Sequence, residues 1–158
     1  MGEGGEQPLD VIARRSRMGG VFVQQIDECG HSVSSMTWED LFRTCERGVG
    51  DLSRRFRPGA TVCAIVRQDA ESIATVLSCI AAGLRVVCVH PQAPEAEVRW
   101  SAEQAGVEGI AELLGNSGPP EARDAGSVIL SSSGTTGGPR MAVRDWSSLV
   151  ANGNAAAS

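Results

Sequence analysis

A chain of 158 residues, 42% apolar and 21% charged, has the make-up of one globular domain, long enough to bury roughly 70% of its unfolded surface. Its formal net charge of −5 argues against a broad attraction to nucleic acid or to an anionic membrane. Three Phe, three Trp and no Tyr offer little for stacking single-stranded bases. The longest apolar run, Ile73 to Gly83, is too short to span a bilayer.

Residues 1–7 are Gly- and Glu-rich and are expected to be a disordered tail, with one domain over 8–158. Pro8 to Ser16 places Leu9, Ile12 and Ala13 on one helical side, and Met18-Gly19-Gly20 breaks the pattern. Val21 to Ile26 reads as a strand, Asp27 to His31 as a turn and Ser32 to Met36 as the returning strand of a hairpin. Thr37 with Asp40 three residues on has the form of a capping box. Trp38, Leu41, Phe42, Cys45, Val49 and Leu52 then recur at helical spacing, and Arg57-Pro58-Gly59 ends that helix.

Ala60 to Val66 is a continuous apolar run without alternation, as expected of a parallel strand covered on both faces. Asp69 caps a helix over Ala70 to Ala82, and Gly83 suits the left-handed position beyond it. Arg85 to Val89 is a second buried strand, and Pro94 opens a helix over Glu95 to Ala105. Val107 to Leu114 fits either strand or helix, and Gly115 to Gly126 is a Gly/Pro-rich surface loop. Ser127 to Leu130 is a strand, Met141 to Arg144 another, and Asp145 caps a last helix. The alternation of strand and helix from Ala60 to Ala105 predicts an α/β fold, with a layered, mostly parallel sheet and helices on both faces.

The cysteines, Cys29, Cys45, Cys63, Cys79 and Cys88, form no C-x-x-C pair and follow no secretory signal, which points to a reducing cytoplasm. The last four lie within predicted elements and read as small buried hydrophobes. Cys88 and His90 have no further Cys or His near them in sequence to complete a metal site. Arg14, Arg15 and Arg17, like Arg54, Arg55 and Arg57, fall near predicted helix C-termini, where solvated cations suit the helix dipole. His31 reads as a surface turn residue, and Trp38 and Trp100 as packing residues.

The segment with the most chemical content is Ser131-Ser132-Ser133-Gly134-Thr135-Thr136-Gly137-Gly138-Pro139-Arg140. It follows directly on the strand Ser127 to Leu130. Hydroxyls, accessible backbone amides and a closing cation are what a phosphate chain requires. Ser/Thr/Gly runs are also common as plain linkers, and composition alone leaves the two readings evenly balanced. The run has neither the Gly-Lys-Ser/Thr ending of a Walker loop nor the spacing of a dinucleotide fingerprint. In open parallel sheets, however, ligands bind beyond the carboxyl ends of strands, which is where this run begins.

Ser132 to Arg140 resembles the phosphate loop of the adenylate-forming enzymes, the acyl- and aryl-CoA synthetases and their relatives, which usually reads Thr-Ser-Gly-Thr-Thr-Gly-x-Pro-Lys-Gly. Thr37-Trp38-Glu39-Asp40-Leu41, Ala82-Gly83 and Val86 to Pro91 are similar, in order, to a helix start, a helix end and a strand-plus-proline upstream of that loop in the family. The resemblance covers nearly the whole chain from about Leu9. Arg140 stands where lysine is common, Met141 where glycine is common and Trp146 where many members carry histidine.

The resemblance implies that the chain is the N-terminal part of the family's large domain. It implies ATP as a substrate, with magnesium in a complete enzyme, a carboxylic acid activated as an acyl-adenylate, and coenzyme A or a carrier thiol as acceptor. Ser132, Ser133, Gly134, Thr135, Thr136, Gly137, Gly138, Pro139 and Arg140 would hold the β and γ phosphates. The family's segments for adenine, magnesium and the acid come later than this loop, so no catalytic or metal-binding residue is assigned, and a second polypeptide is expected to complete the fold. Two other readings stand beside this one: a non-catalytic module binding nucleotide or pyrophosphate, and a truncated remnant of such a ligase.

Overall fold

The computed structural model of the chain describes residues 6–111, 125–132 and 140–156. Of the expected tail, residues 1–5 lie outside the described residues, while Glu6 and Gln7 are tied to the domain. The Glu6 carboxylate pairs with Arg14 at 2.8 Å, and its carbonyl accepts the indole N–H of Trp146 at 2.7 Å.

Helix α1 (Pro8–Met18) starts on a proline, whose missing N–H costs nothing in a first turn. Strands β1 (Val21–Ile26) and β2 (Ser32–Thr37) pair antiparallel as a separate hairpin. The carboxylate of Asp27 shapes its turn by accepting the N–H groups of Cys29 and His31. Helix α2 (Trp38–Arg55) opens with the expected reciprocal cap. The Thr37 hydroxyl accepts the Asp40 N–H, and the Asp40 carboxylate accepts the Thr37 N–H.

The main sheet runs β5 (Gly109–Ile110), β3 (Thr61–Ile65), β4 (Arg85–Val89), β6 (Ser127–Ser132) and β7 (Arg140–Asp145) in spatial order. Neighbours among the first four are parallel, whereas β7 runs antiparallel to β6. Helix α3 (Ala70–Ala81) links β3 to β4, helix α4 (Glu95–Ala105) follows β4, and helix α5 (Trp146–Ala156) follows β7. Gly83, with φ of +73°, takes the left-handed position that closes α3. The amides of Gly83 and Leu84 then return to the carbonyls of Ile80 and Cys79.

Alternate residues of each central strand enter opposite layers, so both faces are covered. Val62, Ala64, Val86 and Val128 pack with Val49 and Leu52 of α2 and with Cys79 and Ile80 of α3. Cys63, Val87, Val89 and Ile129 pack on the other side with Val98 and Ala105 of α4. Helix α1 adds an outer layer, where Ile12 meets Leu41, Cys45 and Ala74. The hairpin rests on this layer through Phe22, whose ring meets Trp38 edge-on at 4.7 Å.

Two local expectations change. The ambiguous stretch after α4 supplies a two-residue edge strand, and the arginines at the end of α2 fasten it. Arg55 pairs with Asp51 and donates to the Ile110 carbonyl, and Arg57 pairs with Glu108 at 3.1 Å. These two cations are thus tertiary ties rather than solvated dipole partners, because the sheet brings residues 51 to 55 positions away in sequence alongside them. The expected loop Gly115 to Gly126 lies outside the described residues as far as residue 124.

Candidate phosphate-binding rim

Because β3, β4 and β6 are parallel, their carboxyl ends share one rim of the sheet. The chain leaves it as Val66 to Asp69 after β3, as His90 to Pro94 after β4, and into the β6–β7 connection. The β6–β7 ladder runs without a slip from Ser127 opposite Asp145 to Ser132 opposite Arg140. This corrects the expected end of the strand at Leu130, since β7 supplies ladder partners for two more residues. Ser131, Ser132 and Arg140 therefore belong to paired strands rather than to a loop. Ser133, Gly134, Thr135, Thr136, Gly137, Gly138 and Pro139, the connection itself, lie outside the described residues.

Arg140 is exposed at the first position of β7. Strand alternation puts it on the same side as Ala142, the α2/α3 side of the sheet, because its neighbour Met141 packs into the opposite, α4-side layer. Met141, at a position where glycine is common in the resembling loop, thus fills part of a core. Trp146, at the position where histidine is common, packs with Leu149 against the α2/α3-side layer and holds the Glu6 carbonyl. Asp145 caps α5, its Oδ1 accepting the Ser148 N–H at 2.8 Å and the Ser147 hydroxyl at 2.9 Å. Those bonds, above all the ones from Ser148, hold its carboxyl below the usual range.

The rim also opens at one place. Pairing between β4 and β6 ends at Val87 opposite Ile129. Beyond that point β4 stays with β3 up to Ile65 opposite Val89, and β6 stays with β7 up to Ser132. Leu130 is accordingly 45% exposed, while Val128 and Ile129 just before it are buried. His90 stands where β4 ends, its Nδ1 accepting the Gln92 N–H at 3.2 Å. In the sequence this residue stands out only as a possible metal partner for Cys88. The Cys88 thiol is half-buried within β4, and burial pushes its pKa up to about 11. Among the described residues no group of three or more His, Cys, Asp and Glu side chains is placed to hold a metal ion. His31 lies in the β1–β2 turn beside Asp27, its side chain 81% exposed.

No family model matches the chain, and a search among curated proteins finds no match. Solved structures do match. O-succinylbenzoate coenzyme A synthetase (MenE) from Bacillus subtilis, in complex with AMP, is similar over 85% of this chain and 42% of its own, at 19% identity and a TM-score of 0.68. The same enzyme with the acyl-adenylate intermediate OSB-AMP matches over 92% of this chain and 44% of its own, at 18% identity and a TM-score of 0.74. The Klebsiella oxytoca NpsA N-terminal subdomain, in complex with anthranilyl-AMSN, matches over 85% and 40%, at 19% identity and a TM-score of 0.63. The fold is therefore that of the N-terminal part of adenylate-forming enzymes, an α/β architecture with a mostly parallel sheet between helices. The chain spans about two fifths of the length of these solved chains.

Proposed function

We propose that this chain is the phosphate-holding N-terminal part of a ligase that uses ATP to activate a carboxylic acid as an acyl-adenylate, for transfer to coenzyme A or a carrier thiol. One observation carries the reading. A segment with the phosphate-loop pattern, Ser132 to Arg140, connects two strands at the carboxyl rim of a sheet whose fold is shared with enzymes solved with AMP and an acyl-adenylate. ATP would supply the adenylyl group and a leaving pyrophosphate. The hydroxyls of Ser132, Ser133, Thr135 and Thr136 donate to the β and γ phosphates. The amides of Gly134, Gly137 and Gly138 approach them closely, since no side chain intervenes. Pro139 stiffens the return into β7, and Arg140 offsets the charge that gathers on pyrophosphate as it leaves.

Magnesium and the acid are assigned to no residue of this chain. A second polypeptide that covers the outer edge of β7 fits the reading, because this six-residue strand has no ladder partner on that side among the described residues and such an edge invites pairing. A reducing cytoplasm is the setting that fits five free thiols.

Calorimetry with ATP and with pyrophosphate, paired with ATP–pyrophosphate exchange over a panel of carboxylic acids, tests the proposal. The chain should bind pyrophosphate, and Arg140→Ala should weaken binding by roughly ten- to a hundredfold, as expected for one charge-assisted contact. Exchange should be absent with residues 1–158 alone and should appear once a polypeptide matching the remaining length of the solved ligases is present. Absence of heat from both ligands overturns the proposal. Binding that persists without exchange even in the presence of that polypeptide would favour a non-catalytic nucleotide-binding module instead.

A further inference from the structure

The opening between β4 and β6 has a group on each side. His90 follows directly on the carboxyl end of β4, and Ser132, at the carboxyl end of β6, is the ladder partner of Arg140. His90 and Arg140 thus lie at the ends of the two strands that neighbour β6, one on either side of it.

The imidazole is already oriented. Its Nδ1 accepts the Gln92 N–H, so the neutral ring carries its proton on Nε2. That Nε2–H meets no protein acceptor among the described residues, and the side chain is exposed. A donor fixed by its own turn, beside an opening in the sheet and across from an arginine, suits an anion with several oxygens. Resting on the phosphate-binding reading above, we infer that His90 is a second donor to the same phosphates, giving its Nε2–H to a pyrophosphate oxygen from the β4 side while Arg140 engages from the β7 side.

The alternative role for His90 is a purely structural one, holding the Gln92 amide. His90→Asn separates the two, because a short amide oxygen still accepts the N–H two residues on while the distant N–H is lost. The chain holds two histidines, and His31 in the β1–β2 turn provides an internal reference. Inorganic pyrophosphate is titrated into the full chain while the imidazole C–H resonances are followed by NMR, with calorimetry in parallel.

Saturable movement of the His90 signal with a still His31 signal is expected. So is a roughly tenfold weaker Kd for His90→Asn, whose circular dichroism and urea midpoint match the parent. If pyrophosphate binds and Arg140→Ala weakens it, yet His90 stays still or His90→Asn binds as tightly as the parent, the inference fails and the phosphate reading survives. Equal movement of both histidines marks a general ionic effect and also overturns it. Absence of any pyrophosphate binding removes the phosphate reading and this inference together.

Discussion

Asp69 fixes where the first crossover helix begins. Its Oδ1 accepts the Ser72 N–H at 2.7 Å, and the Ser72 hydroxyl in turn accepts the Arg67 N–H at 2.9 Å, so one cap shapes the whole turn from β3 into α3. Asp69→Ala is expected to cost about 0.5–2 kcal/mol, read as a lower urea midpoint with an unchanged slope. The Ser72 bonds hold the Asp69 carboxyl below its ordinary range, as Thr37 does for Asp40 and Ser148 for Asp145. A depressed native pKa adds stability above the unfolded value near 3.9, and that stability is lost as pH falls through the native value. The urea midpoint should therefore drop below about pH 4, and less steeply in Asp69→Ala, which has one such carboxylate fewer.

At the scale of elements, β6 is positioned by its approach to the end of α3. The Gly126 N–H donates to the Ile80 carbonyl at 2.6 Å, and a Cβ on Gly126 would lie 1.9 Å from the Leu84 carbonyl oxygen. Backbone cannot yield as a flexible side chain does, so Gly126→Ala must push β6 away from β4. We expect a loss at or above the upper end of the roughly 1–3 kcal/mol typical of overpacking, measured by urea unfolding. The same displacement would move the base of the β6–β7 hairpin, so pyrophosphate affinity should fall with stability in this variant. Arg140→Ala, at an exposed position, should lower affinity alone.

Over the whole molecule, the cysteines report how completely the layers close. Cys45 and Cys79 lie in the α1–α2–α3 side, Cys63 and Cys88 in the central strands, and only Cys29, in the outlying hairpin turn, is exposed. Burial pushes the Cys45 and Cys79 thiols to about 12, and raises Cys63 as well. A thiol reagent should modify the exposed Cys29 rapidly, the half-buried Cys88 slowly, and the buried Cys45, Cys63 and Cys79 only on unfolding. Raised native pKa values mean that the folded chain keeps protons the unfolded chain releases above about pH 8.5. Stability should accordingly be full below that pH and decline as pH rises through 9 and beyond. Rapid labelling of all five thiols in the native chain would show that the core does not close as described.

Local chemistry was legible in the residue order because its partners are near neighbours. The Thr37–Asp40 box, the Asp69 and Asp145 caps, the Gly83 turn and the apolar strands β3 and β4 all follow from contacts within a few residues. Even the two-faced burial that predicts a parallel sheet is written in the unbroken run from Ala60 to Val66. Tertiary pairing decided the rest, since its partners lie far apart in sequence. That β7 folds back on β6 and draws Ser131, Ser132 and Arg140 into a ladder depends on hydrogen bonds no local pattern announces. The work of Arg55 and Arg57 at the β5 edge, and the place of His90 beside an opening in the sheet, depend on which strands become neighbours, and strand order is set by packing rather than by any single segment's preference.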